Sequence, residues 1–173
     1  MRVVWIDLVS EMGGAQRSML ELCAALPSKG VEAVAAVPHG PLFDELKSAG
    51  VTVFPVLPVR ASRRGWKLFS TTAKLLKAPS SVSQILRTVK PDIVHCNSLP
   101  ALLAAGRTSA KVPLFWHVRD LRLPVLIARD ASKRATRIIA ASEAIDEYLV
   151  DILSPRLLGR IRVIRNGIDD ARF

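Results

Sequence analysis

Short apolar runs alternate along the chain with stretches that repeat apolar residues at helical spacing. The apolar runs are rich in Val, Ile and Ala and predict strands at 3–9, 31–37, 51–56, 92–95, 112–117, 136–141 and 161–164. The periodic stretches predict helices at 15–29, 41–49, 99–109, 124–134 and 143–153, with two further helical pieces inside 62–90. Strands that are apolar throughout and separated by helices indicate a parallel sheet covered on both faces. We therefore predict an α/β fold, a doubly wound Rossmann-like parallel sheet of about seven strands with helices on both faces.

Length and composition fit one globular domain without a membrane span. The chain has 173 residues, half of them hydrophobic, and it contains no run of about 18 apolar residues of the kind that crosses a bilayer. Asp7 interrupts the apolar N-terminus, so we interpret this stretch as a buried strand rather than a signal peptide. Without an export signal, Cys23 and Cys96 are expected to be reduced thiols in packed positions of a cytoplasmic protein.

A net charge of +10 is the unusual feature of the composition, and it favours anionic partners. The densest basic run, from Arg60 to Lys77, spaces Trp66, Phe69 and Leu76 along one helical stripe bordered by cations. Such a helix suits either a peripheral contact with the anionic inner face of a membrane or a solvated position in which the stripe packs on the sheet. Nucleic acid is not an expected partner, because the chain carries no recognition motif.

Polar residues follow several of the predicted strands at the point where each strand ends. In doubly wound sheets the loops from the carboxyl ends of the strands meet at the crevice where strand order reverses, and ligands bind there. The candidate binding residues therefore follow the first, fourth, fifth, sixth and seventh strands, and they are Gly13, Gly14, Asn97, His117, Arg119, Asp120, Ser142 and Asn166.

Gly13 and Gly14 open the first predicted helix. Their bare amides and the helix dipole suit an oxyanion such as a phosphate, and a tight turn between strand and helix explains the pair equally well. The spacing is not the G-x-G-x-x-G of dinucleotide sites, and no acidic residue closes the second strand. A dinucleotide cofactor is therefore disfavoured.

His117 ends a strand and is followed by Arg119 and Asp120, so a charged group near the imidazole can tune a hydrogen bond to a ligand hydroxyl. A satisfied structural histidine is the alternative. We expect a partly exposed side chain whose loss costs little stability. His95 lies inside a strand and is expected to be packed. Ser142 is placed to cap a helix, and a hydroxyl that lines the cleft is the alternative.

Taken together, these motifs resemble those of one large enzyme class. The turn at 166–169, Asn-Gly-Ile-Asp, is similar to the V-I-P-N-G-I-D…F segment that closes the N-terminal half of retaining, nucleotide-sugar-dependent glycosyltransferases of family 4, which have the GT-B fold. Arg165 stands where that family usually has Pro. The segments G-G-A at 13–15, W-H-V-R-D at 116–120 and A-S-E-A-I at 141–145 resemble further motifs of the same family.

The resemblance covers the whole chain and implies one half of a GT-B fold. Residues 1–173 would be the N-terminal, acceptor-binding domain, and the nucleotide-sugar domain would follow outside this chain. The implied reaction moves a sugar from a nucleotide-diphosphate sugar to a hydroxyl of a glycan, lipid-linked or small-molecule acceptor, with retention of anomeric configuration and with no metal or cofactor. The chain alone is then expected to be inactive. Another Rossmann-like nucleotide-dependent enzyme and a non-enzymatic basic module that docks on membranes are the competing hypotheses.

The resemblance also implies roles for individual residues. His117 is similar to the histidine that reaches the transferred sugar or the acceptor, and we assign it the catalytic role. Gly13 and Gly14 would face the donor and acceptor phosphates. Asn97 takes the place of a second histidine found in many relatives, and because it cannot titrate we assign it to acceptor contact. Acceptor contact is also implied for Arg119, Asp120, Ser142 and Asn166.

Overall fold

The computed structural model describes residues 1–58, 80–108 and 111–167. The strands are β1 (Arg2–Ile6), β2 (Glu32–Val37), β3 (Thr52–Pro55), β4 (Ile93–Cys96), β5 (Leu114–Val118), β6 (Arg137–Ala140) and β7 (Ile161–Val163). They form one parallel sheet in the order β3-β2-β1-β4-β5-β6-β7. Strand order reverses between β1 and β4, because the chain builds outward from β1 to β3 and then returns to the other side of β1. The predicted doubly wound Rossmann-like sheet is confirmed.

Helices connect the strands. They are α1 (Gly14–Ala25), α2 (Pro41–Ser48), α3 (residues 80–89), α4 (Leu99–Ala105), α5 (Val125–Ser132), α6 (Glu143–Ile152) and the short α7 (Pro155–Leu158). The helix predicted over 15–29 changes after Ala25 into a 3-10 turn, Leu26–Lys29, because Pro27 has no amide hydrogen to continue the α-helical pattern. That turn ends at Gly30, whose φ of 73° is the left-handed conformation that glycine adopts freely.

Both faces of the sheet are covered, as the strand composition predicts. Successive residues of a strand point to opposite faces, and β1 divides its side chains between two cores. Val4 and Ile6 belong to the larger core, to which α3, α4, α5 and α6 contribute. Val3 and Trp5 belong to the smaller core, which α1 and α2 complete. The helices on both faces are therefore confirmed.

The two cysteines occupy these cores as free, buried thiols, Cys23 on α1 and Cys96 at the end of β4. Burial raises the pKa of the Cys23 thiol to about 12 and raises the pKa of Cys96 as well. The expectation of packed thiols is confirmed, and neither side chain is ionised at neutral pH.

The boundary that matters most for the site is the end of β1. The apolar pattern runs to Val9, whereas β1 ends at Ile6. The chain turns here because the Asp7 carboxylate accepts a hydrogen bond from the Val9 amide at 3.1 Å, the geometry of an Asx turn. Asp7 therefore lies just beyond the carboxyl end of a central strand, where ligand sites form in this fold.

Two expectations concern membranes, a contact through the basic segment and the lack of a membrane-spanning helix. The basic segment from Arg60 to Lys77 lies outside the described residues. In the described parts of the chain, no helix combines the length and the apolar character that a bilayer crossing requires.

Candidate functional site

A cleft of about 420 Å³ opens at the carboxyl edge of the sheet, where β1, β4 and β5 end. This is the point of strand-order reversal at which the sequence predicts a ligand site. The structure brings five of the predicted residues together on the cleft wall, and they are Gly14, Asn97, His117, Arg119 and Asp120. Gly13, Ser142 and Asn166 are not part of that wall.

The Asp7 carboxylate is fully buried next to this cleft. Its Oδ2 accepts hydrogen bonds from Gln16 Nε2 at 2.9 Å and from Asn97 Nδ2 at 2.7 Å. Its Oδ1 accepts from the Val9 amide at 3.1 Å and from the Ser98 hydroxyl at 3.4 Å. Burial raises the pKa of Asp7, and the hydrogen bonds from Asn97 and Gln16 oppose that shift. Each of these contacts comes from a donor, which suits an ionised carboxylate.

Asn97 is only 3% exposed, and its amide has one orientation that satisfies its neighbours. Nδ2 donates to Asp7 at 2.7 Å and to the carbonyl oxygen of Ala15 at 3.3 Å. Oδ1 accepts from Nη1 of Arg119. The reversed amide would place its oxygen against a carboxylate and its nitrogen against a guanidinium. The hydrogen-bond chemistry thus fixes which end of Asn97 faces Arg119.

Arg119 connects the cleft to the segment that follows β7. Nη2 of Arg119 donates to the Ser18 hydroxyl at 3.2 Å, and that hydroxyl donates to Oδ1 of Asn166 at 3.1 Å. Nε of Arg119 is buried and has no hydrogen-bond partner among the described residues. Burial lowers the pKa of Arg119 to about 10, and the charges of Asp7 and Asp120 oppose this. The guanidinium is therefore cationic at neutral pH.

The side chain of His117 is 4% exposed, so the expectation of a partly exposed histidine is wrong. The reason is the position of β5, which lies between β4 and β6 in the sheet. Nδ1 of His117 lies 3.3 Å from Nε2 of His95. The ring of His95 stacks on Trp5 with 3.8 Å between centroids, so its predicted packed position is confirmed.

The imidazole of His117 is neutral at physiological pH. Burial, with a smaller contribution from the charge of Arg119, lowers its pKa to about 3. Burial also lowers the pKa of His95, with contributions from His117 and Arg119. Nε2 of His117 is buried and finds no hydrogen-bond partner in the part of the chain that the structure describes. It is therefore the ring atom that remains available to a ligand.

Gly13 and Gly14 do not form a turn that needs glycine. Gly13 caps α1 in an ordinary extended conformation, with φ of −127°, and neither glycine has a positive φ. A Cβ on Gly14 would meet no atom within 4 Å, whereas one on Gly13 would lie 3.0 Å from Oε1 of Gln16. Neither backbone conformation therefore requires glycine, although a side chain at residue 13 would crowd Gln16. At Gly14 the missing side chain keeps open the part of the cleft next to the first amides of α1.

The ends of β6 and β7 form a different surface. The Ser142 hydroxyl accepts from the Ile145 amide at 3.3 Å, so its predicted capping role is confirmed. Arg165 makes a two-pronged ion pair with Glu143, in which Nη2 and Nε lie 2.6 and 3.1 Å from the carboxylate oxygens. Both side chains are exposed. Asn166 is connected to the cleft through Ser18 and Arg119.

The candidate residues from the sequence omitted four members of the network, Asp7, Gln16, Ser18 and Ser98. The signal for Asp7 was present, since a carboxylate inside an apolar run must either end the strand or find buried partners. Gln16 and Ser18 carry no comparable signal, because their roles depend on how α1 is rotated against β1 and β5.

This arrangement offers a ligand a guanidinium charge, a neutral imidazole and the free amides at the start of α1. Such groups bind phosphate and hydroxyl oxygens. Within the described ranges, no three His, Cys, Asp or Glu side chains come together as a metal-binding group.

Comparison with known proteins gives one family and a set of related folds. The model of Glycosyltransferase Family 4 matches residues 12–172. No curated protein sequence matches the chain significantly. Alr3699/HepE from Anabaena, solved with UDP-glucose, is 20% identical with a TM-score of 0.73, over 98% of this chain and 44% of its own.

Two further solved structures widen the comparison. The lipopolysaccharide outer core galactosyltransferase WaaB is 17% identical with a TM-score of 0.69, over 98% of this chain and 46% of its own. The UDP-GlcNAc 2-epimerase from Neisseria meningitidis, bound to UDP-GlcNAc, is 16% identical with a TM-score of 0.63, over 94% of this chain and 46% of its own. At these identities the likeness concerns the fold. The chain spans less than half the length of each protein and has the architecture of one half of a GT-B fold.

Proposed function

The chain belongs to glycosyltransferase family 4, whose model matches residues 12–172, and we propose that it is the acceptor-binding half of a retaining enzyme. That enzyme would move a sugar from a nucleotide-diphosphate sugar to an acceptor hydroxyl. The observation that carries the proposal is the meeting of Arg119, neutral His117 and the open helix start at Gly14 on one cleft. A second domain, outside this chain, would hold most of the nucleotide.

In this proposal His117 meets a hydroxyl of the transferred sugar or of the acceptor. When Nδ1 accepts the hydrogen of His95 Nε2, the proton of the neutral imidazole lies on Nε2, and that atom becomes a donor. A neutral donor can hold a sugar hydroxyl without requiring a counter-charge. Its unsatisfied, buried state supports this role, because an orphaned polar atom in a cleft wall gains a partner when a ligand enters.

The anionic parts of the substrates belong, in the same proposal, at the other groups of the cleft. The amides at Gly13 and Gly14 begin α1, where the helix dipole favours a phosphate. Arg119 supplies a fixed positive charge for an acidic or phosphorylated acceptor. Asp120 is exposed at the rim and can accept hydrogen bonds from acceptor hydroxyls.

The fold shared with UDP-GlcNAc 2-epimerases supports a second candidate function, in which a nucleotide sugar is rearranged and not transferred. The two functions differ in their products. Transfer releases the nucleoside diphosphate, whereas an epimerase returns an intact nucleotide sugar with one inverted carbon. The family match favours transfer.

The test uses the complete protein with UDP-glucose, UDP-galactose and UDP-GlcNAc, each with a panel of glycan and lipid-linked acceptors. We expect release of UDP together with a product whose anomeric proton, read by NMR, keeps the configuration of the donor. An epimerised nucleotide sugar without UDP release would overturn the transfer proposal. An inverted linkage would overturn retention alone.

A peripheral membrane contact is the second part of the proposal. It is supported by the clustered cations between Arg60 and Lys77 in a chain of net charge +10, and it would place the enzyme on the cytoplasmic face of a membrane. Each basic residue near an anionic bilayer contributes about 1 kcal/mol. We expect co-sedimentation of the complete protein with phosphatidylglycerol vesicles at low salt and its loss at high salt. Equal binding to phosphatidylcholine vesicles would contradict this contact.

A further inference from the structure

A buried carboxylate that does not line the cleft organises the side chains that do. Asp7 is fully buried and accepts hydrogen bonds from Gln16, Asn97, Ser98 and the Val9 amide. Burying a charge is costly unless hydrogen bonds compensate it. The turn to Val9 uses one carboxylate oxygen of Asp7, so the bonds that Gln16 and Asn97 donate to the other oxygen call for a further explanation.

The contacts of Asp7 lead to the cleft in two steps. Its Oδ2 accepts from Asn97 Nδ2 at 2.7 Å, which turns Oδ1 of Asn97 toward Nη1 of Arg119. We infer that Asp7 is a positioning residue, which fixes the Arg119 guanidinium on the cleft wall by holding the Asn97 amide in one orientation. Asn97 serves in this role as the link between them, because both of its amide hydrogens and its oxygen are used within the network.

The positioning depends on an acceptor-only group at residue 7. With Asn in that place, its amide nitrogen must face either Val9 and Ser98 or Gln16 and Asn97, because each carboxylate oxygen of Asp7 accepts from one of these pairs. In the first case the Val9 amide loses its acceptor and the turn that places residue 7 beside Asn97 is weakened. In the second case Asn97 loses a bond or reverses and sets its Nδ2 against Arg119. Both cases loosen the hold on Arg119. The negative charge of Asp7 adds an attraction toward the guanidinium.

The importance of this relay for catalysis rests on the proposed function, in which Arg119 holds the acceptor. The relay itself rests on geometry and can be measured without turnover. The most direct reporter is the Nε–Hε resonance of Arg119 in the complete protein, assigned by its disappearance in Arg119→Lys. Guanidinium resonances respond to hydrogen bonding and to restricted rotation of the group.

The first experiment compares Asp7→Asn with Asp151→Asn, a matched change at an exposed position of α6. We expect the Arg119 resonance to shift and broaden in Asp7→Asn and to stay in place in Asp151→Asn. A resonance unchanged in a folded Asp7→Asn protein would overturn the inference.

The second experiment exchanges the two groups in the double variant Asp7→Asn/Asn97→Asp. The exchange keeps one carboxylate, one amide and the donor-to-acceptor match between residues 7 and 97, and it leaves an oxygen facing Arg119. The bond to the Ala15 carbonyl is lost, and Gln16 must turn its amide oxygen toward residue 7. Because the oxygen that faces Arg119 is held again, we expect the Arg119 resonance to become narrow again. This variant decides the matter if Asp7→Asn does not fold, and a broad Arg119 resonance in it would overturn the inference.

Kinetics then separate the relay from the proposed function. For the transfer reaction, Asp7→Asn should raise the acceptor KM about tenfold to a hundredfold, the effect of a weakened hydrogen bond to a charged group, with the donor KM unchanged. An unchanged acceptor KM, or equal effects on both substrates, would count against the relay. If wild-type protein transfers no sugar, the proposed function fails, and the Arg119 resonance still decides whether Asp7 positions the guanidinium.

Discussion

Two polar clusters lie at the same edge of the sheet, and each contains an arginine and a carboxylate. At the ends of β1, β4 and β5, Asp7 and Arg119 are joined through Asn97, and the carboxylate is fully buried. At the ends of β6 and β7, Glu143 and Arg165 make a direct ion pair with both side chains exposed. The sequence resemblance implies acceptor contact for residues in both regions, yet the carboxylate is buried in the first cluster and exposed in the second.

Burial separates the two clusters chemically. Water and salt screen the exposed pair, whereas the hydrogen bonds of the buried network are shielded from water and hold Asn97 in one orientation. The pKa values reflect this difference, since burial dominates the shifts of Asp7, His117 and Arg119. The exposed pair lies at the side of the sheet where β7 is the edge strand, whereas the buried network lies at the ends of three internal strands. Four predictions test this contrast.

The largest effect is expected from filling the cleft. Gly14→Val should abolish transfer by the complete enzyme with little change in melting temperature, because a Cβ there meets no atom within 4 Å and enters the space that the substrate needs. Gly159→Val is the matched control, since Gly159 also has open space and an ordinary helical φ of −64°. Equal activities of the two variants would show that the start of α1 is not a substrate site.

The next effect concerns His117. His117→Ala should lower kcat of the complete enzyme about 10²-fold to 10⁴-fold, the usual worth of a positioned hydrogen-bonding or proton-transferring side chain. Because the side chain is buried, the variant should also lose some stability, so kcat is measured per folded protein. His39→Ala, a change at an exposed histidine outside the cleft, is the control. A large drop in melting temperature with near-normal kcat would make His117 a core residue.

The third prediction concerns pH. The folded-state pKa of His117 is about 3, below its ordinary value of 6.5, so the unfolded chain binds the proton more strongly. The contribution of neutral His117 to stability is therefore fully present above pH 6.5 and is lost as the pH falls toward 3. For one proton, the free energy of unfolding falls with a limiting slope of about 1.4 kcal/mol per pH unit.

Asp7 has the opposite effect on the pH dependence of stability, because its pKa is raised in the folded protein. The contribution of His117 is therefore isolated by comparing urea unfolding of wild-type protein and His117→Gln between pH 7 and 5. We expect a shallower pH dependence in the variant. Parallel curves would mean that the pKa of His117 is the same in the folded and the unfolded protein.

The smallest effects come from removing the two arginines, and they should differ. Arg119→Ala leaves Asn97 Oδ1 without its donor in a buried place, at a cost of about 1–3 kcal/mol in unfolding free energy. Arg165→Ala removes an exposed ion pair and should leave stability unchanged within error. Denaturant titrations of both variants measure the contrast. Equal losses would show that burial does not distinguish the clusters.

The sequence predicted the sheet and five residues of the cleft wall because both follow from local pattern. Apolar runs separated by periodic stretches require a parallel sheet, and polar residues at strand ends then meet at one edge. Asn97, His117 and Arg119 were found this way. The pattern could not show that β1 ends at Ile6, because Leu8 and Val9 continue the apolar run. The capping role of Ser142 was predictable, since it depends only on its neighbours in sequence.

What the sequence could not supply was the relation between elements. The four-residue helix α7 has no period to detect. The predicted partial exposure of His117 was wrong, because the burial of this side chain depends on the position of β5 between β4 and β6 in the sheet. Gln16 and Ser18 take part only because α1 presents them to β1 and β5, which is a property of packing.

The Ser18 hydroxyl, which accepts from Arg119 and donates to Asn166, makes two distant parts of the chain thermodynamically linked. A ligand that draws Arg119 away from Ser18 weakens the hold on Asn166. Because linkage is reciprocal, a movement of Asn166 changes the affinity for that ligand by the same factor. One hydrogen bond of about 0.5–1.5 kcal/mol sets the scale, which corresponds to a change of about twofold to tenfold. Occupancy of the cleft and the position of Asn166 are therefore not independent variables.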